Sequence, residues 1–415
     1  MKIHIIGGGV IGLCSAYYLQ QAGHQVTVID QGDFATGCSF GNAGMVVPSH
    51  FIPLASPGVI AKGLKWMFQS SSPFFIKPRL NLSLIQWLWQ FYKACHPDRV
   101  QAAMPILRDL NQASKELYHE LSERLGLAFD YEAKGLMMLY RSAKGEQEEL
   151  STAATANQMG VEAKALTPAE VQQLEPNTRV NSLGGVLYPG DAHLSPHQFM
   201  FALISDLEQN GVTFIPQTQV KSWQTNKGKI THLLSQDGKK IEVDQVVLAA
   251  GSWSEKLLRG LDIKMPIQDG KGYSITLSEP SNRPTLPSIL SEDKVAITPM
   301  GKDLRFGGTL ELGGMNTTVN PKRVQGILAA LPQYYPDVTI PKQDSLDIWV
   351  GFRPCSPDGL PYMGPSRKIS NLVIAGGHAM MGLSLGPITG KLVAEIIDER
   401  KPSIKLSLLH PERFA

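Results

Sequence analysis

The chain has 415 residues, 43% of them hydrophobic, with 39 Lys plus Arg against 37 Asp plus Glu and a formal net charge of +2. That length buries a large core and suggests two domains, and so even a charge balance gives no electrostatic case for nucleic acid as a partner. The four cysteines (Cys14, Cys38, Cys95 and Cys355) lack CxxC or metal-like spacing, which argues against a disulfide framework or a metal site and for a reducing, cytoplasmic setting.

Residues 2–6 form an apolar run broken at once by Gly7, Gly8 and Gly9, which reads as a strand and not as a signal sequence. A helix over 13–22 with Gly23 as its stop, then a strand over 26–30, complete a βαβ unit that demands a parallel sheet with helices on its faces. No run reaches the roughly 18 apolar residues of a membrane-spanning helix. From Ser49 to about Gln90 the order is lost among prolines, and helical periodicity returns over 99–126 and 143–159, two segments expected to cover a second sheet. A helix over 199–209 and strands over 211–215 and 245–250 restore the first style. Residues 265–349 read as strands between Gly and Pro turns, and a buried strand over 371–375 precedes a helix over 388–400. The expected fold is α/β: a Rossmann-type nucleotide domain from 1–50, 186–262 and 346–415, and an α+β substrate domain from 51–185 and 263–345.

Gly7, Gly9 and Gly12 fit G-x-G-x-x-G after a strand and at the opening of a helix, the context that makes this pattern specific for dinucleotides. The first glycine permits the tight turn and the second lets backbone approach the pyrophosphate. The third lets helix and strand pack closely, with Val10 and Ile11 at the helix N-terminus facing the negative charge. Asp30 ends the second strand, where it accepts from ribose hydroxyls and repels a 2′-phosphate, with Gln31 beside it. FAD and NAD both remain open at this point.

Three further segments bear on that choice. Ser39-Phe40-Gly41-Asn42-Ala43-Gly44 is a small-residue loop, Ala249-Ala250-Gly251-Ser252-Trp253 ends a strand, and Ala375-Gly376-Gly377-His378 precedes Gly382 and Gly386. With Lys271-Gly272-Tyr273-Ser274, Gly307-Gly308-Thr309 and Gly351-Phe352-Arg353-Pro354, these resemble the FAD-dependent D-amino acid oxidase superfamily, and within it the bacterial D-amino acid dehydrogenases. The resemblance implies a Rossmann-type FAD-binding domain with non-covalent FAD, although His378 and Cys355 leave covalent attachment open. It implies cofactor contacts at Ser39, Asn42, Ala43, Gly44, Met45, Val220, Ala250, Gly251, Trp253, Gly377, Gly382, Leu383 and Ser384, and Gly382 and Gly386 at the flavin ring.

Oxidation of an amino acid at its α-carbon needs a carboxylate anchor, a neutral amine and the α-hydrogen aimed at the flavin. Arg353 is the expected anchor, because guanidinium binds carboxylate through two parallel hydrogen bonds and the resemblance places an arginine in this segment, with a structural ion pair as the alternative. Tyr273 is a second carboxylate contact, a pocket wall or a core tyrosine. His50 faces the amine or is structural, and His378 bonds the cofactor or shapes the pocket. Glu311 is expected to orient Arg305. The resemblance implies D-amino acids, or imino acids such as D-proline and D-hydroxyproline, with electrons passed to a quinone or another non-oxygen acceptor, and an oxidase making hydrogen peroxide as the alternative. Aromatics and cations over 59–95 (Trp66, Met67, Phe68, Trp87, Trp89, Lys62, Lys65 and Lys93 among them) suit either a core-packing helix pair or peripheral contact with the cytoplasmic face of the inner membrane.

Overall fold

The structure is a computed structural model that describes the chain except residues 62, 64–71, 78, 80, 127 and 128. Two sheets dominate. The first has six strands in the order Tyr362–Pro365, Leu372–Gly376, Gln245–Leu248, Lys2–Ile6, Gln25–Ile29 and Thr213–Ile215, parallel except for the first pair. Ile5 sits between Val247 and Val28 in register. These strands are buried on both faces, which is why they read as continuous apolar runs and not as alternations. The second sheet has nine strands and is mostly antiparallel. It is centred on Gln268–Leu277 and Asp303–Leu312, which pair with each other, and Ile348–Cys355 pairs with the outer side of Gln268–Leu277.

Helices pack the first sheet through contacts that only glycine allows. The helices Val10–Gln21 and Gly386–Ile397 lie side by side. A Cβ on Gly390 would sit 2.3 Å from the Cys14 carbonyl oxygen, and one on Gly386 would sit 2.9 Å from Val10 Cγ2. Gly386, expected at the flavin ring, therefore serves helix packing instead.

Four other expectations change. The helix Pro97–Arg124 does not cover the second sheet: Leu107, Leu110 and Leu117 pack with Leu385, Ile388 and Leu392, so it backs the first domain's last helix. Residues 265–349 are not all strand, because Asn320 caps a helix Pro321–Tyr334 by accepting from the Lys322 amide, with Pro321 at its first position. The stretch expected to lack order contains the helix Leu82–Ala94, capped by Asn81. Ile348–Cys355, assigned by sequence to the nucleotide piece 346–415, hydrogen-bonds into the second sheet. Helix Ala143–Gln158 does cover that sheet, through Ala153 and Ala156 against Leu136 and Val186. All four cysteines are free thiols. Trp66, Met67, Phe68, Lys62 and Lys65 lie outside the described residues.

Replacing Gly390 with alanine sets two effects against each other. Alanine favours the helix by about 0.5–1 kcal/mol, whereas a methyl group driven into backbone costs about 1–3 kcal/mol. The collision is with a carbonyl that cannot rotate away, so overpacking wins. Gly390→Ala is expected to lower the urea unfolding midpoint, and an unchanged or raised midpoint would contradict this packing.

Candidate active site

The carboxyl ends of four parallel strands, those carrying Asp30, Gly7, Ala249 and Gly376, open into one cavity of about 770 Å³. This is where open α/β sheets bind ligands, and the volume lies in the range of such sites. At its centre the fingerprint turn is fixed by close backbone contacts. Gly7 has φ +110°, and a Cβ there would lie 2.4 Å from the Ala249 carbonyl oxygen, while one on Gly12 would lie 1.8 Å from the Gly7 carbonyl oxygen. Gly9, Val10 and Ile11 line the cavity at the N-terminus of their helix.

Asp30 holds that turn, accepting from the amides of Gly8 (2.6 Å) and Gly32 (2.7 Å). Ser39 Oγ accepts from the Val10 amide at 3.0 Å. Beside Asp30 the wall continues through Gln31, Thr218 and Val220, with the Thr218 amide donating to the Asp30 carbonyl at 2.8 Å. Past the fingerprint it runs through Ala250, Gly251 and Trp253 to His378, Gly382 and Leu383. Asn42 also lines it, with its side chain accepting from the Gly44 amide at 2.9 Å.

Arg353 reaches the cavity from the second sheet. Its Nη1 donates to the Thr309 carbonyl, and no Asp or Glu pairs with it among the described residues. Burial pulls its pKa below the ordinary guanidinium value, yet arginine stays charged. Gly272 makes room for it, since a Cβ there would lie 2.4 Å from Arg353 Nη1. His378, on the same wall, is buried, with Nε2 3.0 Å from Thr389 Oγ1, and burial lowers its pKa to about 3. It is a neutral imidazole at physiological pH.

Residues 2–396 match the family model described as FAD dependent oxidoreductase (DAO). The chain belongs to this family. It is 32% identical to a D-amino acid dehydrogenase of Granulibacter bethesdensis and 31% identical to one of Neisseria meningitidis, each covering 100% of both chains. Among solved structures it resembles glycine oxidase from Geobacillus kaustophilus, with TM-score 0.79, 22% identity and coverage of 99% and 98% of the two chains. It also resembles L-proline dehydrogenase from P. horikoshii, with TM-score 0.76, 19% identity and coverage of 100% and 97%.

As a family member the chain is an FAD-dependent oxidoreductase, and the cavity fits that cofactor. A helix N-terminus with glycine-only backbone suits a pyrophosphate, an acidic strand end suits ribose hydroxyls, and the cavity extends across four strand ends to an unpaired cation. Cys355 is wholly buried, its thiol pushed up to about 12 by burial and 3.4 Å from the Arg353 carbonyl oxygen, and is absent from the cavity wall.

Several expected site residues stand behind that wall. Tyr273 is buried, donating to Glu311 Oε1 at 2.7 Å and accepting from the Asn320 amide at 3.1 Å. Glu311 therefore faces Tyr273 and Lys271 (3.8 Å), not Arg305. The two lie six residues apart on one strand, about 20 Å, with Arg305 opposite Thr276 and Glu311 opposite Lys271. His50 also stands back from the cavity. Its Nδ1 is 3.0 Å from Ser49 Oγ, which donates to the buried Asp191 at 2.5 Å. Burial, then Lys294, lowers His50 to about 4, while burial pushes Asp191 up to about 7. Of the loop residues, Ala43 is half-buried away from the cavity lining, Gly44 abuts the Leu194 carbonyl and Met45 pairs with His193. Gly377 packs on the Tyr362 ring, and Ser384 bonds Asn111 (2.7 Å) and the Val47 amide (3.0 Å).

From the sequence, Arg305 is expected only as a partner of Glu311, and no role is expected of Gly272. Its signal was present: a glycine between Lys271 and Tyr273 in a β-prone run marks a close approach.

The histidine makes acid sensitivity specific. With a folded pKa near 3 against an ordinary 6.5, His378 takes its proton first in the unfolded chain. Its stabilising contribution is complete above pH 6.5 and is lost as pH falls toward 3, at no more than about 1.4 kcal/mol per pH unit. His378→Gln should flatten the fall of the urea midpoint between pH 6.5 and 4 relative to the parent, and identical slopes would refute a buried neutral imidazole.

Proposed function

We propose that this protein oxidises D-amino acids at the α-carbon and passes the electrons to a quinone or another acceptor other than oxygen. The observation that carries this reading is Arg353, a cation without a carboxylate partner on the wall of the cofactor cavity. FAD bound there supplies a two-electron oxidant that takes hydride from the substrate. The chain's own residues bind and orient. Arg353 receives the substrate carboxylate through parallel hydrogen bonds, which fixes the α-carbon relative to the cofactor. His378, neutral and tied to Thr389, lines the site without adding a charge that would compete for the carboxylate. The substrate amine loses a proton as hydride leaves, and the imine hydrolyses to the keto acid and ammonia. Full-length identity of about 32% to proteins named D-amino acid dehydrogenase supports the D-configuration and an acceptor other than oxygen.

Contact with a membrane surface has its own support. No helix among the described residues is long and apolar enough to cross a bilayer. The helix Leu82–Ala94 instead turns Leu84, Trp87 and Ala94 inward and leaves Leu82, Ile85, Trp89 and Tyr92 more than half exposed. Trp89 and Tyr92 stack with centroids 5.8 Å apart, and Lys93 Nζ lies 5.0 Å from the Trp89 ring centre. Residues 34–97 contain no Asp or Glu. An aromatic, cationic face without carboxylates suits anionic headgroups, at about 1 kcal/mol per basic residue near the surface.

Anaerobic mixing with D-amino acids should bleach the flavin absorbance of the purified protein, with L-isomers inert. Arg353→Ala should slow this at least 100-fold while retaining FAD, as expected when a buried charge pair worth about 3 kcal/mol is lost. Equal bleaching by the mutant, or none by any D-amino acid in the parent, would sink the proposal. Separately, Trp89→Ser with Tyr92→Ser should reduce co-sedimentation with phosphatidylglycerol vesicles at least tenfold without changing flavin content. Undiminished sedimentation would remove this helix from any membrane role.

A further inference from the structure

One turn in the cavity wall keeps a side chain at a backbone angle that glycine would adopt without strain. Gly376-Gly377-His378-Ala379 leaves the end of the strand Leu372–Gly376, and Gly377 takes φ +69°. Ala379 takes φ +48°, a left-handed angle at which its Cβ crowds its own backbone. Alanine at such an angle is less stable than glycine, and a methyl group kept against that cost needs a reason in its surroundings. Among the described residues, Phe34 and Ala379 are the non-glycine residues with left-handed angles that line the cavity. The ring of Phe34 packs edge-on against Phe214 and covers Gly8, which accounts for it. Ala379 has no such ring to place.

Its methyl group belongs to the end of the cavity that holds the arginine. His378 forms an antiparallel bridge with Cys355, two residues beyond Arg353 on the same strand, so the turn is tied to the strand that carries the cation. Ala379 is half-buried and packs against the apolar cluster of Trp87, Leu310, Leu312 and Cys355. That cluster borders Arg353 as well. Leu310 follows Thr309, whose carbonyl accepts from Arg353 Nη1. Gly270 stands opposite Arg353 in register, and a Cβ there would lie 2.3 Å from Leu310 Cδ1 and 3.1 Å from Cys355 Sγ. A carboxylate bound to Arg353 has its α-carbon one bond away and its side chain starting at the next bond. A wall atom beside the guanidinium is therefore met by the first carbons of that side chain.

We propose that Ala379 is a specificity-determining residue, whose methyl group narrows the arginine's end of the cavity and favours small D-amino acids over those with long or branched side chains. The inference rests on Arg353 receiving the substrate carboxylate.

The test compares the holoenzyme with Ala379→Gly, which removes the methyl group and the strain together, and with Ala379→Ser, which keeps the Cβ. The ratio of kcat/KM for D-leucine to that for D-alanine, measured with a dye acceptor, is expected to rise about tenfold in the glycine variant, as one methyl's room in an apolar pocket allows. The serine variant should keep the parent's preference. The urea midpoint of the glycine variant should not fall. An unchanged ratio, with both substrates faster or slower together, would set the methyl group against the cofactor and overturn the proposal, and a lowered midpoint would overturn it by assigning the methyl group to packing. Binding of D-2-hydroxy-4-methylpentanoate against D-lactate, followed by flavin absorbance, makes the same comparison without turnover. A parent inactive toward every D-amino acid would thus end the proposed activity while the binding ratio still decides the role of Ala379.

Discussion

A guanidinium held without a carboxylate is the constraint around which this site is arranged. Moving a cation out of water is expensive, and proteins usually meet the cost with a paired anion. Arg353 has the Thr309 carbonyl and the space left by Gly272, and otherwise faces the cavity. The unmatched charge is what an anionic ligand would complete, and its placement beside the cofactor cavity converts a binding group into an orienting one. Glu311, the nearby strand's buried carboxylate, is kept from it by Tyr273 and Lys271. Glu311 is thus engaged by Tyr273 and Lys271, which leaves the arginine available.

The two sheets need each other for this. The first supplies strand ends, a helix N-terminus and Asp30, which suit a dinucleotide, while the second contributes Arg353 and hydrogen bonds from Arg305 and Ser274 to the Ser39–Gly44 loop. Arg305 and Ser274 join the two by donating to the backbone carbonyls of Phe40, Gly41 and Asn42. Glycine-only contacts at Gly7, Gly12 and Gly390 bring backbone to backbone within the first domain.

Much of the cofactor half was legible in the sequence because its determinants are local. Gly7, Gly9, Gly12 and Asp30 fall within 24 residues, and each acts through backbone geometry that spacing encodes. The substrate half was legible only as separate motifs. Tyr273 looked available until the strand register set Glu311 against it, and Arg305 looked like a partner for Glu311 until register put them at opposite ends of one strand. The helix Pro321–Tyr334 was hidden by two prolines, one of which is its natural first residue. The helix Pro97–Arg124 was recognisable by its period, but nothing local told which sheet its apolar face would meet.

The central claim is that Arg353 recognises a carboxylate beside the flavin. It is tested most directly by titrating the holoenzyme with an unreactive D-2-hydroxy acid and with the corresponding neutral amide, following the flavin absorbance. The account predicts that the acid perturbs the spectrum and binds at least 100-fold more tightly than the amide. Equal affinities would mean that the unpaired guanidinium plays no part in recognition, and the account would fail at its foundation.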